Sequence, residues 1–343
     1  MPIDTSKLEQ QIQFLTPPFS GVLSIREQDR PIFTKAFGLA DRSAGIANTT
    51  GTRFGIASGG KTFTAAAICQ LVDQGKLTFD ARIQDVLDID FPHFDPAVSI
   101  HHLLTHTSGI PDYFDEEVED DYAAVWAEHP NYSFRRAADF LPMFREKEMK
   151  FAPGARWAYS NAGYLVLGLV IEKFTGTDCC RYIEENVFAP AGMTDTGYYP
   201  LDRLPARTAS GYIDEEDGGW HTNIYSIPIV GQADGGTFTT AADIGKFWDA
   251  LLAGRLMSPA TRELMFTPHQ PRDDKGGSGY YGYGLWMEVE AGRTESISMV
   301  GEDPGWAFYS VLYPSRHVGL TLLANRVDSA WEALELAMAV VKE

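Results

Sequence analysis

Residues 54–67 read Phe54-Gly55-Ile56-Ala57-Ser58-Gly59-Gly60-Lys61-Thr62-Phe63-Thr64-Ala65-Ala66-Ala67. The stretch sets a Ser-x-x-Lys tetrad, Ser58 to Lys61, at the start of an apolar run. Phe63, Ala67 and Leu71 recur at helical spacing, and Ile68 and Val72 widen the stripe. Gly75 follows the last periodic residue and supplies a stop. The spacing predicts a helix with Ser58 on or just before its first turn and Lys61 one turn further along the same face. That arrangement suits a nucleophile, because a lysine nitrogen lies beside the hydroxyl and the helix N-terminus favours developing negative charge. Gly59 and Gly60 are read as leaving room for a substrate against the backbone. Alone the tetrad is weak. A chain of this length carries roughly one by chance, and a capping serine followed by a surface lysine gives the same pattern.

Composition sets wide bounds. The chain has 343 residues, 44% of them hydrophobic, enough for one large domain or two intimate ones. A net charge of −19 argues against nucleic acid and anionic membrane as partners. Cys69, Cys179 and Cys180 give no disulfide framework, no Cys-x-x-Cys and no zinc spacing. Cys69 falls in the nucleophile helix and reads as a small buried hydrophobe. No basic segment followed by an apolar one opens the sequence, and no run of about 18 apolar residues occurs. The expectation is a cytoplasmic protein without a membrane span, though a leader trimmed from the chain would leave the same reading.

Along the chain, Asp4 is placed to cap a first helix with Leu8, Ile12 and Leu15 as its buried face, ended by Pro17-Pro18. Gly21–Arg26 and Ile32–Gly38 read as a hairpin around a polar turn. Val98 to Pro111 reads as a short helix stopped by Gly109 and Pro111. Helical segments are expected over Tyr122–Glu128, Phe134–Met149, Ala162–Phe174 and Asp178–Val187. Two more are expected where Thr240 caps Ala241–Leu252 and Ser258 caps Pro259–Phe266. Short β-rich runs follow at Tyr283–Glu288, Glu295–Val300, Trp306–Tyr313 and Val318–Ala324, then a last amphipathic helix from about Ser329 to Val341. Strands at both ends with helices between them imply an α/β (α+β) fold. Its discontinuous α/β part would span residues 1–78 and 205–343, with a mostly helical insert over 79–204 and the active site at the junction.

Tyr159-Ser160-Asn161 stands just before the second apolar helix. With Ser58 and Lys61 it resembles the Tyr-x-Asn second motif of the serine β-lactamase-like hydrolases, a family of class C β-lactamases, penicillin-binding DD-peptidases, D-aminopeptidases and esterases. Further segments resemble that family in its own order: Leu103 to Pro111 (LLTHTSGIP), Phe151 to Gly168 (FAPGARWAYSNAGYLVLG), Gly235 to Asp243 (GGTFTTAAD) and the closing strands around Asp303-Pro304-Gly305-Trp306. The resemblance spans nearly the whole chain. It implies an antiparallel sheet flanked by the terminal helices, an acyl-enzyme on Ser58, and a small-molecule or short-peptide acyl substrate without metal or organic cofactor.

The resemblance also assigns roles. Ser58 is the expected nucleophile, and Lys61 and Tyr159 are both open as its base. Tyr159 would have its pKa lowered by the nearby lysine; it would also protonate the leaving group and later activate water. Asn161 would orient Lys61 and the substrate carbonyl, and could cap the following helix. The oxyanion hole is expected from the backbone N–H groups of Ser58 and Glu302, with Gly301 in place beside it. One departure stands out. Where the family carries Lys or His two residues before this glycine, the chain has Met299, which can neither donate nor carry charge. This favours an esterase-like activity over β-lactam hydrolysis or cell-wall peptidase work. It also motivates a rival reading, a family member that binds without turnover. Glu302 and Asp303 motivate another, a D-aminopeptidase. His106 is expected to be structural. The oligomeric state is not legible in the sequence.

Overall fold

The computed structural model describes residues 3–273 and 277–342, so the outermost ends of the expected division, residues 1, 2 and 343, lie outside the described residues. Eight strands form one antiparallel sheet. They are β1 (Gly21–Glu27), β2 (Arg30–Phe37), β3 (Gln270–Pro271), β4 (Gly279–Tyr281), β5 (Trp286–Glu290), β6 (Arg293–Asp303), β7 (Trp306–Tyr313) and β8 (Val318–Ala324). Their order is β2-β1-β8-β7-β6-β5-β4-β3. The two ends of the chain thus meet in adjacent strands one place in from an edge of the sheet, where Gly21 pairs with Ala324 and Glu27 with Val318.

Both faces of the central strands are covered, which is why β7 and β8 read as nearly unbroken apolar runs rather than as alternation. On one face Leu23, Ala307, Val311, Leu320 and Leu322 pack with Leu8 and Ile12 of helix α1 (Leu8–Gln13) and with the last helix, Ala330–Lys342. On the other, Val22, Phe308, Leu312 and Leu323 join the main core with the helices of the middle of the chain. That core is built around α2 (Lys61–Asp73), whose residues from Lys61 to Leu71 are all buried. Phe63 on α2 meets Phe188 and Phe247 edge-on at 4.8 and 4.9 Å. Helix α4 (Asn161–Thr175) packs on α2, and helix α3 (Ile100–Leu104) packs on α4.

Several expected elements differ, for local reasons. Asp4 accepts a bond from Ser6 N rather than capping the first helix, which begins only at Leu8. The helix expected over 134–149 is reduced to 3₁₀ turns at Ala137–Met143, because Pro142 removes a donor and crowds the preceding turn. The one expected from Val98 stops at Leu104, two residues before His106 takes a left-handed φ of 58°. The strand expected from Tyr283 is interrupted by a turn in which Gly282 N donates to Leu285 O, so β4 ends at Tyr281 and β5 starts at Trp286.

Candidate active site

The nucleophile candidate sits on a 3₁₀ turn, Ala57–Gly60, that runs directly into α2. Ala57 holds a φ of 47°, a costly conformation for a residue with a side chain. The surroundings impose it. Ile56 N donates to Thr237 O, Gly236 N donates to Ala57 O, and Gly59 N closes the turn on Ile56 O. β6 presses on the other side. A Cβ on Gly301 would stand 2.1 Å from Ile56 O and 2.9 Å from Ser58 N, so only glycine lets the strand lie against the turn. Gly59 and Gly60 do not serve substrate approach. Both are buried, and a Cβ on Gly59 would meet the Phe308 ring at 2.4 Å.

Lys61 is 2% exposed and its Nζ has three acceptors: Ser58 Oγ at 2.9 Å, Asn161 Oδ1 at 2.7 Å and Asp234 O at 2.6 Å. Burial pulls its pKa down, while Asp234, Glu116, Asp112 and Asp303 push back. The geometry has a chemical consequence. Two of the acceptors, a side-chain amide oxygen and a backbone carbonyl, can only accept. A neutral Lys61 therefore spends its two N–H bonds on them and turns its lone pair to Ser58, whose hydroxyl can donate.

Tyr159 places its ring beneath Lys61, with Nζ 4.8 Å from the ring centroid. Its phenol departs from the expectation of an acidified group. Burial pushes its pKa well above the usual range, with Glu116 and Tyr281 adding to the rise and Ser58 opposing it. The Tyr159–Asn161 segment is held by His106, which is fully buried, accepts from Ser160 N through Nδ1 at 3.1 Å and makes no bond to Ser58. Ser160, not Asn161, caps α4, through a bond from Gly163 N. Asn161 is thereby left to Lys61.

Three acidic residues that the sequence reading passed over complete the surroundings. Asp112 is buried at the start of α4 and accepts from Asn161 N at 2.6 Å, Ala162 N at 3.1 Å and Tyr113 N at 2.7 Å. Burial pushes its pKa up to about 6 against those bonds. Asp234 accepts from Tyr113 OH at 2.7 Å, and Glu116 lies 3.5 Å from Asn161 Nδ2. Their only sequence signal was adjacency: Asp112 follows Pro111, and Asp234 precedes Gly235, both in segments quoted above.

Ser58 opens into a cavity of about 530 Å³. Phe140, Leu201, Ile227, Ile229, Phe238 and Trp306 form much of its apolar wall. Glu116, Glu119, Asp120, Asp121, Asp234, Glu302 and Asp303 also line it, and among the described residues no Lys, Arg or His does. Glu302 is exposed, and its carboxylate is tied to Trp331 Nε1 at 2.7 Å. Met299 is fully buried in the main core and is not part of the cavity wall. Trp220 and Tyr225 stand outside the cavity. Among the described residues no group of three or more His, Cys, Asp or Glu is placed to hold a metal ion, and no helix is long and apolar enough to cross a membrane.

The acidic lining makes a prediction about stability. Burial pushes the Asp303 carboxyl up to about 8; Lys61 opposes the rise, and Asp234, Glu116 and Glu302 add to it. The folded-state value lies above that of an unfolded aspartate, so folding favours the protonated form. The stability this gives is complete in acid below the unfolded value and is lost progressively as pH rises to about 8. Asp303→Asn is expected to flatten the fall in melting temperature across that window. An unchanged slope in a thermal-melt series would show that Asp303 is already ionised at neutral pH.

A serine on the turn before a helix and a buried lysine at the helix's first residue, in a fold built on one large antiparallel sheet, define the class: a mixed α/β fold of the β-lactamase and penicillin-binding type. The chain belongs to the Beta-lactamase family, whose model matches residues 19–342. It is 29% identical over 339 residues to Penicillin-binding protein 4* of Bacillus subtilis, covering 94% of this chain and 71% of the relative. It is 32% identical over 316 residues to the putative penicillin-binding protein PbpX of the same organism, covering 91% and 72%. Among solved structures, a penicillin binding protein from Bacillus halodurans superposes with a TM-score of 0.91 at 44% identity, covering 97% of this chain and 99% of the other.

Proposed function

We propose that the chain is a serine hydrolase that forms an acyl-enzyme on Ser58, acting on small acyl esters or amides in the manner of an esterase. The observation that carries this reading is the placement of Lys61 Nζ, 2.9 Å from Ser58 Oγ and held by two groups that can only accept. Ser58 Oγ attacks the acyl carbon and its proton passes to Lys61. The carbonyl π electrons move to oxygen, where the backbone N–H groups of Ser58 and Glu302 receive the charge. When the tetrahedral centre collapses, the bond to the leaving oxygen or nitrogen breaks. Tyr159, kept protonated by burial, gives its proton to the leaving group and is refilled from Lys61. Water then attacks the ester carbon. Its proton goes to Tyr159 as the phenol proton returns to Lys61, and Lys61 returns one to Ser58 Oγ as the Oγ–C bond breaks. The family's carboxylate-bearing substrates, penicillins and peptide C-termini, fit less well, because Met299 supplies no cation and the described cavity wall carries only acidic charges.

Rapid quench with p-nitrophenyl acetate followed by intact-protein mass spectrometry tests this. Wild type is expected to show a transient acetyl adduct with a nitrophenol burst, and Ser58→Ala neither. A folded wild type with no adduct and no burst would favour a member that binds without turnover.

A further inference from the structure

We infer that Trp286 is a positioning residue for the proton transfers of Tyr159: from the sheet it braces the phenol ring, and so keeps the hydroxyl in place at Ser58. The inference rests on the Ser58 reading for its chemistry, whereas the brace itself is a matter of packing and can be measured without turnover.

Tyr159 needs such a support. Residues 156–160 belong to no helix or strand. The backbone on either side of Tyr159 is pinned, with Ala158 N donating to His106 O at 2.9 Å and Ser160 N to His106 Nδ1 at 3.1 Å. Those bonds fix the chain but not the side chain, which can still swing between rotamers. The place of its hydroxyl, which is hydrogen-bonded with Ser58, therefore depends on what touches the ring. Lys61, His106 and Trp157 lie against it, the two rings at 4.4 and 6.4 Å between centroids. Trp286 stands 6.0 Å away, its plane within 22° of the phenol's. Among the described ring contacts of Tyr159 it is the one that comes from the sheet. It opens β5 and pairs with Ser298 on β6, the strand that carries Gly301 and Glu302. The proposed proton donor and the proposed oxyanion donor are thereby referred to one strand ladder. Trp286 is itself held. Tyr281 meets it edge-on at 5.2 Å and Trp157 at 5.9 Å, and the Arg272 guanidinium, paired with Glu288, lies 5.1 Å from its ring. It is no part of the wall of the cavity into which Ser58 opens, so its route to the reaction is Tyr159. A displacement of about 1 Å at a reacting group is enough to cost about 100-fold.

The test has a kinetic arm and a spectroscopic arm, both on the full chain. The first is rapid quench of Trp286→Leu with p-nitrophenyl acetate. The p-nitrophenolate departs as a stable anion and needs no proton from Tyr159, whereas the attack of water on the acetyl-enzyme does need the phenol. The burst rate is expected to fall less than about threefold, while the acetyl adduct decays about 30-fold more slowly than on wild type. With p-methylphenyl acetate, whose leaving group is a stronger base, acylation is expected to fall about 30-fold as well. Trp286→Phe keeps a ring against Tyr159 and is expected to recover most of both losses. Equal losses in burst and adduct decay, or no loss in either, overturn the inference. The second arm is independent of turnover. In tyrosine labelled isotopically on the ring carbons, the signals of Tyr159 are assigned by their absence in Tyr159→Phe. A braced ring flips slowly, so wild type and Trp286→Phe are expected to show separate signals for its two edges, and Trp286→Leu one averaged signal. An averaged signal in wild type overturns the inference, even if Trp286→Leu is too unstable to study. A slow ring in a wild type without any burst overturns the Ser58 reading and leaves the brace standing.

Discussion

Lys61→Met is expected to lower the acylation burst with p-nitrophenyl acetate by about 10³-fold while leaving the protein folded. A serine hydroxyl is a poor nucleophile at neutral pH, and the group that takes its proton sets the rate of attack. Tyr159 is badly suited to do so, because burial holds its phenol protonated. Burial acts on Lys61 in the opposite sense and favours the neutral amine, and with Asn161 Oδ1 and Asp234 O taking its two N–H bonds the lone pair is left for the Ser58 hydroxyl. Methionine comes within one atom of the length of lysine and adds no polar group to the core, so collapse of the core is not the expected outcome. It does leave Asn161 Oδ1 and Asp234 O without their donor, at about 1–3 kcal/mol each. A melting curve therefore accompanies the kinetics. A burst within tenfold of wild type in a folded Lys61→Met would transfer the role of base to Tyr159.

The same site shows which parts of a structure can be read from a chain and which cannot. Ser58, Lys61 and Asn161 stand next to one another because they occupy the starts of two helices, α2 and α4, and helix starts leave local marks: an apolar period, small residues before it, a capping side chain. The exact pairs Trp306–Tyr313 and Val318–Ala324 were legible as strands for a similar reason, a short β-branched and aromatic run between turns. Asp112, Glu116 and Asp234 carry no such mark. Each is a single acid in a loop, and only the packing of separate segments onto α2 brings them around Lys61. The acidity of Tyr159 could not be read either. Proximity to a lysine lowers a phenol's pKa and burial raises it, and the balance depends on how deep the ring lies. Cap assignment failed by one residue at α4 because Ser160 and Asn161 are both good caps and the choice between them was made by Lys61, 100 residues earlier in the chain.

Gly301→Ala is expected to cost about 10²-fold in acylation through displacement of the nucleophile turn rather than through loss of any side chain. The methyl group would lie 2.1 Å from Ile56 O, 2.7 Å from Gly59 N and 2.9 Å from Ser58 N. All three are backbone atoms, so no rotamer change relieves the contact. β6 is fixed on its far side by the full ladder to β7, from Ile297 opposite Leu312 to Asp303 opposite Trp306. The turn is fixed by Thr237 and Gly236 and already strained at Ala57. One of them has to give, and a shift of a few tenths of an ångström to 1 Å separates Ser58 from both Lys61 and the backbone donors. Stability is expected to fall by about 1–3 kcal/mol, the ordinary cost of overpacking. Gly319→Ala in the neighbouring strand β8 is the matched control, since the nearest atom to its methyl group is Val311 O at 3.7 Å. That variant is expected to keep both its melting temperature and its burst. Normal acylation by Gly301→Ala would mean that the turn and the strand can part without moving Ser58, and that the close approach of β6 serves packing alone.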